Sequence, residues 1–332
     1  MRILVVSSYP PRHCGIGTYA RDHVARLRSE GHDVTVLSAP DGNGDIRVEL
    51  LGGRAFIRAA RIGGGFDRIV VHFQPGLYYR PRAPMSKIAT SVALWWLAFR
   101  RPVEIVVHEA DPPKLWRPDY TILRAAFARA RELQFHTRTE WSAFEEAYGL
   151  RVRGTLVPHT VRPVGASIGR AEARRSLGVD PSGPVFVLPG FIQPSKGAER
   201  ILDAFEGEGP VGLFIVGSLR SHTAEGAAYL DGLRRRCEGL PRVHLVERFL
   251  DDEEFDRWIL AADWVVLPYR RSWSSGVLAR AQALGIPSIV TEVGGLREQA
   301  GDGDMVVPNE DDAIVRAIAG AAATSVGRRG SA

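Results

Sequence analysis

Short continuous apolar runs, each closed by a turn residue, recur along this chain, and stretches of helical length separate them. A strand with one wet face alternates apolar and polar residues, whereas a run apolar at successive positions belongs to a strand covered on both faces. Strands are expected at Arg2–Ser7, Val34–Ser38, Ile69–Phe73, Glu104–His108, Leu133–His136 and Gly154–Val157. A second series is expected at Val185–Leu188, Gly212–Val216, Val243–Val246, Trp264–Leu267 and Ile289–Thr291. Helices are expected between them, among others at Thr18–Glu30, Ser86–Phe99 and Val277–Leu284. This alternation predicts an α/β protein built on parallel sheets.

Pro158, Pro163, Gly165, Gly169, Pro181 and Pro184 punctuate residues 158–184. An interdomain linker at their start gives domains 1–160 and 161–332. Two such domains place ligands at the C-terminal ends of their strands, in a cleft between them.

The length of 332 residues, with 45% hydrophobic and 24% charged positions, suits two domains with sizeable cores. Cys14 and Cys237 provide neither a disulfide framework nor a metal set, and a reducing, cytoplasmic compartment fits them. The start, MRILVVSSYPP, does not read as a signal peptide, and no run of about 18 apolar residues exists. Charge is unevenly spread. Residues 1–160 carry 23 Lys+Arg against 15 Asp+Glu, net +8, and the remainder is net −3. A basic N-terminal half suits an anionic acceptor or an anionic membrane surface, the latter making the protein peripheral to a membrane. Ser86–Phe99, with Trp95 and Trp96 before Arg100 and Arg101, reads either as a core helix with a basic end or as an interfacial one. No compact basic-aromatic motif points to nucleic acid. Forty of the 43 basic residues are Arg, so Lys87, Lys114 and Lys196 stand out.

Residues 262–298 carry the most information. A buried strand stops at Pro268, a polar loop holds Arg270, Arg271, Ser272, Trp273, Ser274 and Ser275, and Gly276 opens a helix that ends at Gly285 and Pro287. A second buried strand runs into Gly294-Gly295 and Glu298. A Ser/Gly loop opening a helix presents free N–H groups and the positive end of the helix dipole, which suit a diphosphate. This order resembles the nucleotide-sugar site of the retaining glycosyltransferases of family 4, which have the two-domain GT-B fold. Pro268, Gly285, Pro287, Gly294, Gly295 and Glu298 match the family's pattern. Gly276 falls one place after the family's usual glycine, where this chain has Ser275. The family's two glutamates, seven residues apart, are replaced by Ser272 and Arg280. The second glutamate holds the nucleotide ribose in the family, and an arginine cannot accept a hydrogen bond. Arg280 is expected either to point away from the donor or to reach a phosphate or a sugar carboxylate, anions that its planar fork suits.

The resemblance extends over nearly the whole chain and implies two Rossmann-like domains facing a central cleft. The N-terminal domain would hold the acceptor and the C-terminal one a nucleoside diphosphate sugar. Lys196, in strand–loop–Lys-Gly–helix order, would neutralise the donor diphosphate as a point charge. Arg270, Ser274, Ser275 and Gly276 would join it, and Gly15 would bring backbone close to phosphate. Arg270 or Arg271 would replace an arginine the family has where this chain has Phe191. The loop with Phe249 and Leu250 would lie against the base. His108, ending a strand, would stand near the reacting sugar as a hydrogen-bonding group. His72, Gln74 and Asp111 would lie on the acceptor side, with Glu109 and Asp111 as further candidate bases. His136 and His159 rank below these, and histidines so scattered have no metal-ligand spacing. The implied activity is metal- and cofactor-independent sugar transfer with retention. The alternative is a catalytically silent binding or partner protein, motivated by the missing glutamates and by Phe191. A third reading, a dinucleotide oxidoreductase, rests on the GxGxxA pattern from Gly15 to Ala20, which follows a Pro-rich loop rather than the strand itself.

Overall fold

Every strand pairing is parallel. The computed structural model describes residues 1–110, 116–159, 161, 168–180, 183–206, 211–220 and 223–329. The chain divides into two compact units, Met1–Thr160 and Val161–Ala332.

The first unit holds a seven-stranded sheet made of β1 (Arg2–Val6), β2 (Asp33–Ser38), β3 (Ile46–Arg47), β4 (Arg68–Phe73), β5 (Val103–Val107), β6 (Glu132–Phe135) and β7 (Gly154–Leu156), in the order β3-β2-β1-β4-β5-β6-β7. The second holds six strands, β8 (Val185–Pro189), β9 (Gly212–Gly217), β10 (Val243–Glu247), β11 (Trp264–Leu267), β12 (Ser288–Thr291) and β13 (Met305–Val307), in the order β10-β9-β8-β11-β12-β13. These are two Rossmann-like parallel-sheet units. In each, the chain starts in the middle of the sheet and builds outward in both directions. That doubly wound order puts the crossing point beside the first strand, where ligands commonly bind.

Period-two side-chain alternation explains the continuous apolar runs. Phe186 and Leu188 of β8 pack into one layer with Trp264, Val266, Phe205 and Ile314. Val185 and Val187 point the other way, toward Val265, Leu267, Trp258 and Leu278. Both faces are therefore buried under helices. In the first unit Ile3, Val5, Val36 and Val70 form a comparable layer with Tyr19 and Val24 of the first helix.

Strand bounds differ from expectation by a residue or so, but β3 and β13 were not expected. β3 has two residues and β13 three, too short to show a period. The first helix, Gly15–Ser29, begins three residues before its expected start. Cys14 is its N-cap and gives no side-chain hydrogen bond, so no capping residue marks this helix start in the sequence.

Candidate functional site

In the second unit, β8, β9 and β11 are neighbours in the sheet, so the loops at their C-terminal ends meet. The Gly190 N–H donates to the Val216 carbonyl at 2.9 Å, and the Ile192 N–H donates to the Ser218 carbonyl at 2.8 Å. Approach at this point requires glycine, because a Cβ on Gly217 would collide with the Gly190 carbonyl. The Arg270 N–H donates to the Ser195 carbonyl at 2.9 Å, tying the loop after β11 to the loop that carries Lys196. The Lys196 ammonium sits 3.5 Å above the ring of the buried Tyr269. Burial, reinforced by Arg220, pushes its pKa down to about 7. Arg220 follows β9, is exposed, and donates to the Gln193 side chain at 3.4 Å.

The helix Gly276–Ala283 opens beside this loop, with Val277 against Gly190. Ser275 is its N-cap: the hydroxyl accepts from the Leu278 N–H at 3.2 Å, and the Ser275 N–H donates to the Gln299 side chain at 2.8 Å. The polar groups of Ser275 therefore build the helix start, leaving the Gly276 and Val277 amides at its open end. Gly294, at φ 50°, lies against the Ser272 carbonyl, and the Gly295 N–H donates to the Trp273 carbonyl at 3.1 Å. Here the Gly-Gly turn holds the Ser/Trp loop in place. Two cations, a helix start and backbone of close approach thus share one end of the sheet, an arrangement suited to a diphosphate.

Other expected donor residues stand differently. Arg270 pairs with Glu199 at 2.6 Å, so its charge already has a partner. Phe249 is 42% exposed, whereas Leu250 is buried in the core and offers only backbone. Of the two directions expected for Arg280, away from the donor or toward one of its anions, the side chain takes the first. Arg280 is buried and turned onto the helix Asp252–Ala261, where its Nε pairs with Asp256 and its Nη1 lies 3.0 Å from Asp252. Its Nη2 donates to the Asp252 carbonyl at 3.1 Å, and its guanidinium lies 5.3 Å from the Phe255 ring centre. Asp256 is fully buried, so this arginine is a structural clamp.

In the first unit, the strand ends bring together histidines that are far apart in sequence. His72 lies in β4, and His108, His136 and His159 follow β5, β6 and β7. Their rings surround Tyr19 of the first helix at centroid distances of 5.2, 5.0, 5.1 and 5.6 Å, and His23 lies 5.8 Å away. The His23 Nδ1 and His72 Nε2 are 3.0 Å apart. The His136 Nδ1 is 2.9 Å from the Val157 carbonyl, which only accepts, so this nitrogen carries the proton. Four buried polar atoms of these residues have no hydrogen-bond partner among the described residues: Tyr19 OH, His72 Nδ1, His108 Nε2 and His136 Nε2. Buried polar atoms without partners are costly unless water or a ligand meets them. Burial pushes His23 and His136 down to about 4, and His72, His108 and His159 well below the usual histidine range. The cluster is therefore neutral at physiological pH. Among the described residues no group of His, Cys, Asp or Glu is arranged to hold a metal ion.

Gln74 donates to Glu109 at 2.6 Å, which joins the ends of β4 and β5. Gly15 is exposed at the start of the first helix. Asp111 lies outside the described residues. Tyr19, His23 and Arg220 were not among the expected site residues.

Residues 183–323 match the family model described as glycosyl transferases group 1. A D-inositol 3-phosphate glycosyltransferase of Streptomyces griseus is 33% identical over 174 residues, 48% of this chain and 36% of that protein. One of Xylanimonas cellulosilytica is 29% identical over 163 residues, 48% of this chain and 39% of that protein. The match thus spans little more than a third of these relatives' length. The whole fold is similar to sucrose-phosphate synthase of Thermosynechococcus elongatus, with a TM-score of 0.75, 17% identity, and 96% of this chain and 88% of that one covered. HepE of Anabaena, solved in complex with UDP-glucose, has a TM-score of 0.73, 17% identity, and coverage of 96% and 88%. The two-unit architecture is that of GT-B glycosyltransferases.

The clamp role of Arg280 predicts that Arg280→Ala, which takes the guanidinium from the buried Asp256 carboxylate, destabilises the protein by about 3–5 kcal/mol. Urea unfolding checks this, and an unchanged midpoint would contradict the clamp.

The histidine cluster predicts acid lability. These residues are neutral in the folded protein but protonate near pH 6.5 once unfolded, so stability is full above that pH and falls as pH drops toward about 4. Buried Glu140, raised to about 7, works in the opposite direction. Five histidines outnumber one carboxyl, and each net proton gives a slope of up to about 1.4 kcal/mol per pH unit. Denaturation at pH 7 and pH 5 should show a marked loss, and His136→Gln should reduce the slope.

Proposed function

We propose that the chain is a glycosyltransferase that moves a sugar from a nucleoside diphosphate donor to an acceptor hydroxyl with retention of configuration. The observation that carries this reading is the pairing of Lys196 and Arg220 beside the open helix start at Gly276, at the C-terminal strand ends of the second unit. As the glycosidic bond breaks, negative charge gathers on the leaving diphosphate. The two cations and the Gly276 and Val277 amides stabilise that charge without a metal. Ser274 borders the same loop, Phe249 and the Leu250 backbone lie against the base, and Arg270, held by Glu199, lines the approach. The family model matched by this unit and the UDP-glucose found in a neighbour's structure support the donor assignment.

The first unit holds the acceptor. Neutral His72 and His108, with Gln74, hydrogen-bond its hydroxyls. An imidazole whose pKa lies well below 6.5 is a weak proton acceptor at neutral pH. His108 therefore orients the acceptor, and the departing diphosphate takes the proton. The acceptor is anionic in this reading, in keeping with the net charge of +8 on residues 1–160 and with the inositol phosphate in the relatives' names. Reaction takes place in the cytoplasm.

Calorimetry with UDP, GDP and ADP tests the donor site. Lys196→Ala should weaken diphosphate binding by about 1.5–3 kcal/mol and leave the bare nucleoside unaffected. Equal diphosphate affinity in both proteins refutes the assignment. Absence of binding by the wild type favours the silent reading.

The lysine's pKa of about 7 sets the pH dependence. Below pH 7 the ammonium is already charged. Above it, binding a diphosphate raises the pKa and must draw a proton from solvent. Affinity should therefore fall above pH 7, by up to about tenfold per unit. Lys196→Arg, charged throughout, should abolish the slope.

His108→Ala should lower turnover far more than donor affinity. Near-normal steady-state turnover would return His108 to a purely structural role.

A further inference from the structure

The helix Pro84–Arg100 presents an outer face that nothing among the described residues covers. Met85, Ile88, Val92, Trp95, Trp96 and Phe99 recur at spacings of three and four, so they form one stripe along the helix. Met85 is 74% exposed, Phe99 54%, Val92 43% and Trp95 38%. Across the groove at the start of the helix stands Trp116, 82% exposed. Seven large apolar side chains are exposed among the described residues, and five of them lie here. Scattered exposure of this kind means little, but a contiguous stripe marks an interaction surface.

Cations border the stripe. The Arg100 guanidinium lies 6.0 Å from the Trp96 ring centre, and that of Arg129 lies 5.1 Å from the Phe99 ring centre. Arg82, Lys87 and Arg117 line a groove of about 450 Å3 at the other end, together with Ile88 and Trp116. Arg82 holds φ 55°, a conformation that non-glycine residues seldom adopt. The acid in this groove, Asp119, is buried and paired with Arg117.

We infer that this face docks the first unit onto an anionic phospholipid surface, with the helix lying in the interface plane. Aromatic and aliphatic side chains enter the acyl boundary while the rim cations meet headgroup phosphates, and the basic groove seats one such phosphate. The charge pattern favours lipid over a second copy of this chain. A two-fold interface would set the rim arginines of one copy against those of the other. No helix among the described residues is long and apolar enough to cross a membrane, so contact would be peripheral. The inference does not rest on sugar transfer, and nucleotide binding and vesicle binding fail independently.

Co-sedimentation of the full chain with vesicles tests it. Vesicles with a third phosphatidylglycerol should bind the protein, and pure phosphatidylcholine vesicles should bind it about tenfold more weakly or worse. Trp95→Ser with Phe99→Ser should lower partitioning by about tenfold or more, with UDP affinity and thermal midpoint unchanged. Should that pair impair folding, Arg100→Gln with Arg129→Gln gives the second reading: each lost cation should cost about fivefold on anionic vesicles only. Absence of anionic-vesicle binding by the wild type overturns the inference. Equal binding by a folded Trp95/Phe99 variant also overturns it, as does a wild-type dimer that this variant converts to monomer.

Discussion

Parallel pairing is the constraint on which the rest depends. When all strands of a sheet run the same way, their C-terminal ends emerge along one edge, and every loop leaving that edge carries backbone groups the sheet no longer satisfies. Polar side chains and helix starts gather there because a place is needed where amides meet something other than apolar core. In the first unit that edge holds His72, His108, His136 and His159, together with Tyr19 and His23. In the second it holds Lys196, Arg220 and the helix start at Gly276. One topological rule therefore assembles two polar clusters of different chemistry.

Burial sets the charge of each site, and it acts in the same direction on both. Desolvation disfavours the protonated imidazole and the protonated amine alike. Five clustered histidines become neutral hydrogen-bonding groups, available to orient hydroxyls and poor at carrying charge. Lys196 is brought to about 7, poised between charged and neutral, because Arg220 adds repulsion to burial and no described carboxylate offsets it. A diphosphate arriving there would supply the missing counter-charge. A site that disfavours its own cation is in that sense adapted to an anionic ligand.

Most of the sheet was legible in the sequence because buried parallel strands are continuous apolar runs between turn residues. β3 and β13 were not, since two or three residues hold no pattern. Lys196 and the Gly294-Gly295 turn were singled out through the family resemblance, whereas the helix start at Gly276 was legible from local order. The histidine cluster was not, because His23, His72, His108, His136 and His159 are spaced by whole strand–helix–strand units, and a search for ligand spacing sees only scatter. Arg220 was hidden in the same way, since its relevance comes from the bridge between Ile192 and Leu219 that lays one strand end against another. The direction of Arg280 was left open for a different reason. Its helical position was read correctly, but its direction depends on Asp252 and Asp256 of a neighbouring helix.

The helix Pro84–Arg100 marks the limit of composition as a guide. A helix apolar around most of its circumference is expected to be buried. Its inner face, with Thr90, Ala93, Leu94 and Leu97, is buried as that rule requires, whereas the opposite face is equally apolar and lies open. Hydrophobicity alone cannot separate a core helix from an interfacial one, since both are apolar on two sides. What separates them is the rim. A core helix gains nothing from cations along its border, whereas Arg100 and Arg129 here lie against the rings of the exposed stripe. That arrangement keeps the aliphatic stems of the arginines on apolar surface and their charges at its margin, as interfacial side chains do.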